Sequence, residues 1–359
     1  MKFTVDSGLW ALGSEVDAPP EVAVLEVSGA VLAWTIHDAA QAVRITFTDL
    51  NAADWLWQLV GEAGHVAVVA AAEATAEATE ATEAGDEVDL ELLAEPLAAL
   101  RRLAVGHWLR RWWPASVRDG IMPLDAAVLD AEVAVATAAL EDYFSQDTLD
   151  SDIAGLLAPH RHALSGTAAS GDPRVLDLIR RCVVLADEAG LGDWSEMLAP
   201  QAQSRQDDYA LAAGLPGAGG DGAIASGVAS VSWTAVPPRT FDAAEHTIDW
   251  SVLARDGAVV ADIRVATIGP AEGIPVRLDS GSTSGRSTLD VDGNATLPLP
   301  VTETQAWGHD WTGTAVTVGA ETGETEPVRD RVRRYVRARL ATPGPDAFLA
   351  EILAAEADY

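Results

Sequence analysis

His246–Ala266 reads HTIDWSVLARDGAVVADIRVA, and its alternation decides the fold of the C-terminal part of the chain. In His246–Ala254 and Ala258–Ala266 apolar residues recur at every second position, the period of a half-buried strand. Working outward, the same short alternating pattern recurs in Ala229–Ala235, Ile274–Leu278, Arg286–Val291, Asn294–Leu299 and Thr314–Gly319. Short runs at this close spacing predict an antiparallel β-sandwich over 228–320. Asp292-Gly293 reads as a type I′ hairpin turn within it, because that geometry needs φ > 0.

Beyond the sandwich, 327–359 reads as two helices. Val328–Leu340 is basic and amphipathic, Pro343-Gly344-Pro345 breaks it, and Asp346 is the expected cap of a short acidic helix. On the N-terminal side, 214–227 (GLPGAGGDGAIASG) has the composition of a flexible linker. Its Gly217–Gly222 satisfies G-x-G-x-x-G as a string, but that string binds a dinucleotide only between a strand and a helix start, and here it follows a helical stretch and leads into a sheet.

Over 88–213 the period becomes helical. Leu97, Leu100, Ala104, Trp108 and Trp112 form one stripe that ends at Pro114. A second helix opens at Pro123-Leu124-Asp125 and runs to about Phe144, with Val128, Leu129, Val133, Ala136 and Leu140 expected inside. A third covers roughly Leu149 to Pro159. Asp172-Pro173 caps a fourth, which carries Val175, Leu178, Ile179, Cys182 and Leu185 to Gly190. Ala71–Glu87, AAEATAEATEATEAGDE, has no large apolar side chain and reads as an acidic linker. Residues 1–70 contain the β-like runs Glu21–Val27, Ala30–Ile36 and Ala42–Thr48, followed by a short helix for which Asn51 is the expected cap. The fold class is therefore α+β and multidomain: a small N-terminal sheet, a central all-α bundle, and a C-terminal antiparallel β-sandwich with terminal helices.

Composition narrows the function classes. With 23 Lys+Arg against 55 Asp+Glu the net charge is −32, which repels nucleic acid and anionic membrane surfaces. Cys182 is the single cysteine, so neither an intrachain disulfide nor a Cys-based zinc site can form, and the cytoplasm is the default location. The N-terminal residues lack the apolar run of a signal peptide, and no segment approaches the roughly 20 apolar residues of a membrane span. Lys2 is the only lysine, which removes a Walker lysine and a Schiff base; the arginine-, alanine- and acid-rich composition fits a high-GC bacterium, most simply an actinobacterium. No cofactor motif and no H-E-x-x-H metal motif occurs, so no cofactor or metal is expected.

Two groups of residues stand out. His309-Asp310, flanked by Trp307 and Trp311, is the most site-like pair for acid/base work, with His246 as a further candidate. On a sandwich-edge strand these neighbours would point to opposite faces. Gly281–Gly285 approaches a nucleophile elbow but centres on Thr283. The second group is arginine with aromatics. Arg102, Arg110 and Trp113 fall off the buried stripe of their helix, and Arg333 and Arg337 lie on the basic C-terminal helix. Such residues suit a protein-binding surface.

Ile274–Pro300, IPVRLDSGSTSGRSTLDVDGNATLPLP, resembles the strand–turn–strand of transthyretin-like and carboxypeptidase-regulatory-like β-sandwich modules. That resemblance implies binding or scaffolding. Arg101–Ile121, RRLAVGHWLRRWWPASVRDGI, resembles a stretch of uncharacterised actinobacterial cytosolic proteins. The expected function is a non-enzymatic cytoplasmic adaptor or assembly subunit acting through protein contacts. The alternatives are an enzyme with dispersed acid/base residues in the C-terminal β-domain, and an accessory subunit of an NTPase-driven bacterial defence system.

Overall fold

A computed structural model describes residues 1–6, 8–38, 42–77, 88–144, 149, 152–169, 171–198 and 222–357. The chain divides into two compact units: Met1–Arg110, Leu124–Gln203 and Arg337–Tyr359 form the first, Arg111–Pro123 and Ser204–Val336 the second. The N-terminal sheet and the central helices, separate domains in the sequence reading, thus fall in one unit. The segment 111–123, assigned there to the helical domain, belongs with the β-strands.

In the first unit, β1 (Phe3–Asp6), β2 (Leu9–Leu12), β3 (Val22–Val27), β4 (Ala30–Thr35) and β5 (Arg44–Phe47) form an antiparallel sheet of order β1-β2-β5-β4-β3. Its inner face is carried by alternate residues, as in β3, where Leu25 and Val27 are buried while Val24 and Glu26 face out. The first two strands, each four residues long, are not among the β-like runs of the sequence. Asp49, not Asn51, caps the turn that follows: its carboxylate accepts the Asn51 amide, so Asn51 is already inside the turn. Helix α1 (Trp57–Glu77), interrupted at Gly61 with φ 70°, carries Ala71–Glu77 as helix rather than linker. Alanine and glutamate propensity suffices there without large side chains. The remainder of that expected linker lies outside the described residues.

Helices α2 (Ala94–Trp112), α3 (Ala126–Phe144), α4 (Ile153–Leu157), α5 (Arg161–Ala168), α6 (Pro173–Glu188) and α9 (Leu349–Ala357) complete the unit. Trp108 of α2 donates its indole N–H to the Pro20 carbonyl at 2.7 Å, tying the helix to the sheet. Asp125 accepts the Ala127 and Val128 amides at the start of α3, and Asp172 accepts the Arg174 amide at the start of α6. Gly106 of α2 is required by close approach: a Cβ there would lie 2.8 Å from Phe348 Cζ and from Val133 Cγ2. Asp346 is not the cap of α9. It pairs with Arg339 at 3.0 Å, while Glu351 reaches back to the Phe348 amide and Glu132 of α3 accepts the Ala350 amide. A carboxylate from a neighbouring helix thus replaces the local cap.

The second unit contains a four-stranded antiparallel sheet of order β11-β8-β7-β6 and a three-stranded one of order β10-β9-β12. The strands are β6 (Ala225–Ala229), β7 (Ile248–Arg255), β8 (Ala258–Val265), β9 (Pro275–Ser280), β10 (Thr283–Thr288), β11 (Asn294–Leu299) and β12 (Ala315–Val318). Ile248, Val252 and Ile263 of the larger sheet share one core with Val276, Leu278 and Val318 of the smaller. This is a sandwich in which the two inner faces meet. Its first strand lies at the end of the expected Gly-rich linker; Trp233–Ala235, expected as strand, is a single 3₁₀ turn. Residues 214–221 of that linker are outside the described residues.

Two-residue hairpin turns in the sandwich are Asp256-Gly257, with φ 54° and 80° and Arg255 paired to Ala258, and Gly281-Ser282, with Gly281 at φ 56° and Ser280 paired to Thr283. Asp292-Gly293 instead connects β10 and β11, which belong to different sheets, and only Gly293 has positive φ. Between β11 and β12 a short helix, α7 (Glu303–Gly308), is held by a reciprocal cap between Thr302 and Gln305. Helix α8 (Glu326–Ala341) follows β12; the unit boundary falls within it.

Candidate functional site

The expected acid/base residues sit on the second unit. His309 is the residue that ends α7, not a strand residue, so the alternation expected of it with Asp310 does not apply. Its Nε2 lies 3.0 Å from Ser280 Oγ, and its ring meets Trp311 edge-on at 4.4 Å. Ser280 is 1% exposed and is also 3.0 Å from the Thr314 hydroxyl, so it ties the end of β9 to both His309 and Thr314. Asp310 accepts the Thr312 hydroxyl at 2.6 Å and its amide at 3.0 Å; these bonds hold its carboxyl below the usual range. His246, exposed and with φ 58°, engages through its backbone: its N–H donates to Ser230 Oγ and its carbonyl accepts from Arg118. The described contacts join none of the three by a hydrogen bond.

The expected partner residues separate in the same way. Arg333 is 3% exposed and spends its guanidinium on Glu245 at 2.5 Å, Asp330 at 2.8 Å and the Ala243 carbonyl. Arg329 beside it holds Glu245 at 2.7 Å and Glu324 at 3.2 Å. Burial alone would raise the Glu245 carboxyl, but hydrogen bonds from Arg329, Ser230 and Arg333 outweigh it and bring it to about 2. Arg337 is exposed on α8. Trp113 is half-buried, donates its indole N–H to the Met122 carbonyl at 2.8 Å, and borders a cleft of about 40 Å³, room for little more than water.

Arg102 and Arg110 mark two larger hollows in the first unit. Arg102 lines a hollow of about 660 Å³ between α3, α6 and α9, and an adjoining one of about 350 Å³ between α2 and α3. Both share Arg102, Ala136 and Ala139, so they form one furrow along α3. Its walls are helical stripes: Glu95, Ala99 and Arg102 from α2 on one side, Arg174, Leu178 and Arg181 from α6 on the other. Ala136, placed in the buried stripe by its spacing, is half-buried on this floor, and Thr137 takes the inner position instead. Ala139 is exposed. Arg102 stacks over Phe348 with its guanidinium carbon 4.3 Å from the ring centroid, and lies 3.5 Å from Glu132. Burial pushes the Glu132 carboxyl up, against the Leu349 and Ala350 amides and Arg102.

Arg110 lines a separate cavity of about 330 Å³ between α2, α3, β3 and α4. Its Nε donates to Asp130 Oδ1 at 2.7 Å, and Asp130 Oδ2 lies 2.8 Å from His160 Nε2. His107, one turn before Arg110, faces the same cavity. Burial first, and the Arg110 charge second, push its imidazole down to about 4 against the pull of Asp130, so it is neutral near pH 7. Sequence reasoning did not find the alanine floor or the Asp130–His160 pair. An alanine-rich face of α3 (AVATAAL) was the available signal for the first; the second depends on residues 30 apart. Among the described residues no group of three or more His, Cys, Asp or Glu could hold a metal, and no helix is long and apolar enough to cross a membrane.

Compared with known protein families, with curated proteins and with solved structures, the chain matches none.

Proposed function

We propose that the chain is a non-enzymatic adaptor or assembly subunit of the bacterial cytoplasm, and that it binds its partner through the furrow along α3. The observation that carries this reading is the alanine floor: Ala136 and Ala139 stand where larger side chains would fill the space, between wall residues spaced by three or four along α2 and α6. A floor of small side chains lets another backbone come close, and walls whose residues recur at helical spacing suit an amphipathic helix. The matching partner is a helix with large apolar side chains on one face and a carboxylate placed to meet Arg102. The burial of Ser280 and the engagement of Asp310 with Thr312 count against the enzymatic alternative.

Fluorescence anisotropy of a labelled, leucine-faced acidic helical peptide tests the reading. Saturable binding that is lost in Ala139→Trp, where the indole fills the furrow from an exposed position, and weakened in Arg102→Glu supports it. Equal binding to the parent chain and to Ala139→Trp overturns it.

A further inference from the structure

The cavity beside Arg110 has a one-sided hydrogen-bonding character. Thr137 lines it, and its hydroxyl proton is committed to the Val133 carbonyl at 2.8 Å, so toward any further group its oxygen can only accept. His107 is neutral and keeps one ring nitrogen as an acceptor. Glu26 of β3 and Asp152 before α4 add two exposed carboxylates, of which Asp152 also caps α4 by accepting the Gly155 amide on Oδ1 at 2.6 Å. The single strong donor group, Arg110, is turned onto Asp130, which also offsets its charge. Leu25, Leu103 and Leu156 supply apolar walls.

An acceptor-rich cavity with leucine walls and net negative charge rejects carboxylates and phosphates and favours a ligand that brings donors and positive charge on an apolar body. We infer that this cavity is a binding site for a small organic ammonium ion, whose alkyl or aryl part rests on the leucines while its N–H groups meet His107, Thr137 and the Glu26 and Asp152 carboxylates. The volume of about 330 Å³ fits a ligand of a few to a dozen heavy atoms. This inference does not depend on the furrow.

Isothermal titration of the full chain with n-hexylammonium, hexanol and hexanoate is the test, with the histidine ring resonances followed by NMR. Saturable binding of hexylammonium, weaker binding of hexanol, none of hexanoate, and a shift of the His107 ring signals are expected. Glu26→Gln removes one charged contact from an exposed position and weakens hexylammonium about tenfold; Glu26→Lys abolishes it; Ala139→Trp leaves it unchanged. Hexanoate binding as well as hexylammonium, or affinity unchanged in Glu26→Lys, overturns the inference, the second outcome marking mere adsorption to an acidic surface.

Discussion

Nε2 of His160 lies 2.8 Å from Oδ2 of Asp130, whose other oxygen takes Arg110 Nε at 2.7 Å. One buried carboxylate from α3 thus ties α2 to the turn between α4 and α5. Asp130→Asn keeps the shape but leaves the guanidinium without its counter-charge. Because Arg110 is a third exposed, the full cost of breaking a buried pair is not incurred, and a loss of about 1–3 kcal/mol is expected in urea unfolding.

Gly106→Ala sets two effects against each other. Helix propensity favours alanine by about 1 kcal/mol, but the new methyl would meet Phe348 and Val133 at 2.8 Å. Overpacking of this kind costs about 1–3 kcal/mol. Net destabilisation is expected, because the neighbours are a ring and a β-branched side chain inside the core; an unchanged or raised melting temperature would show that α9 shifts freely.

Two groups give acid unfolding two distinct windows. His107 falls from 6.5 to about 4 on folding, so the unfolded chain takes up its proton first. Its contribution is complete above pH 6.5 and is lost as pH falls toward about 4. Glu245 falls from 4.5 to about 2. Its contribution is complete above pH 4.5 and is lost as pH falls through about 2. Urea midpoints measured across pH should flatten in the upper window for His107→Gln and in the lower window for Glu245→Gln.

Thr302→Ala removes the half of the reciprocal cap on α7 in which Thr302 Oγ1 accepts the Gln305 amide at 3.4 Å, and leaves the half in which Gln305 Oε1 accepts the Thr302 amide at 2.9 Å. A cost of about 1 kcal/mol is expected. Because α7 carries His309 to Ser280, the His309 ring signals should move as well, while those of His107 stay in place.

The α+β order of the chain was legible in the amino-acid pattern because burial imposes a period: two in β7 and β8, between three and four in α2 and α6. Local chemistry was legible too, as in Asp172-Pro173 at the start of α6. Asp292-Gly293 shows the limit of such signals. The dipeptide promotes a turn, but which strands it joins depends on which sheet each edge can complete, and Asp256-Gly257 makes a hairpin instead.

Only the tertiary structure decided what the charged and small residues do. Arg102, Arg110 and Arg333 are alike in sequence, each on an amphipathic helix, yet one lines an open furrow, one holds Asp130 beside a cavity, and one is buried against Glu245. An arginine's role is set by the carboxylates within reach, and for the last two these include Asp130, 20 residues from Arg110, and Glu245, 88 residues from Arg333. The alanines of α3 became a floor for the same reason: periodicity says that a helix has an apolar face, whereas the neighbours that cover it, or leave it open, come from α2, α6 and α9, which meet only in the folded chain.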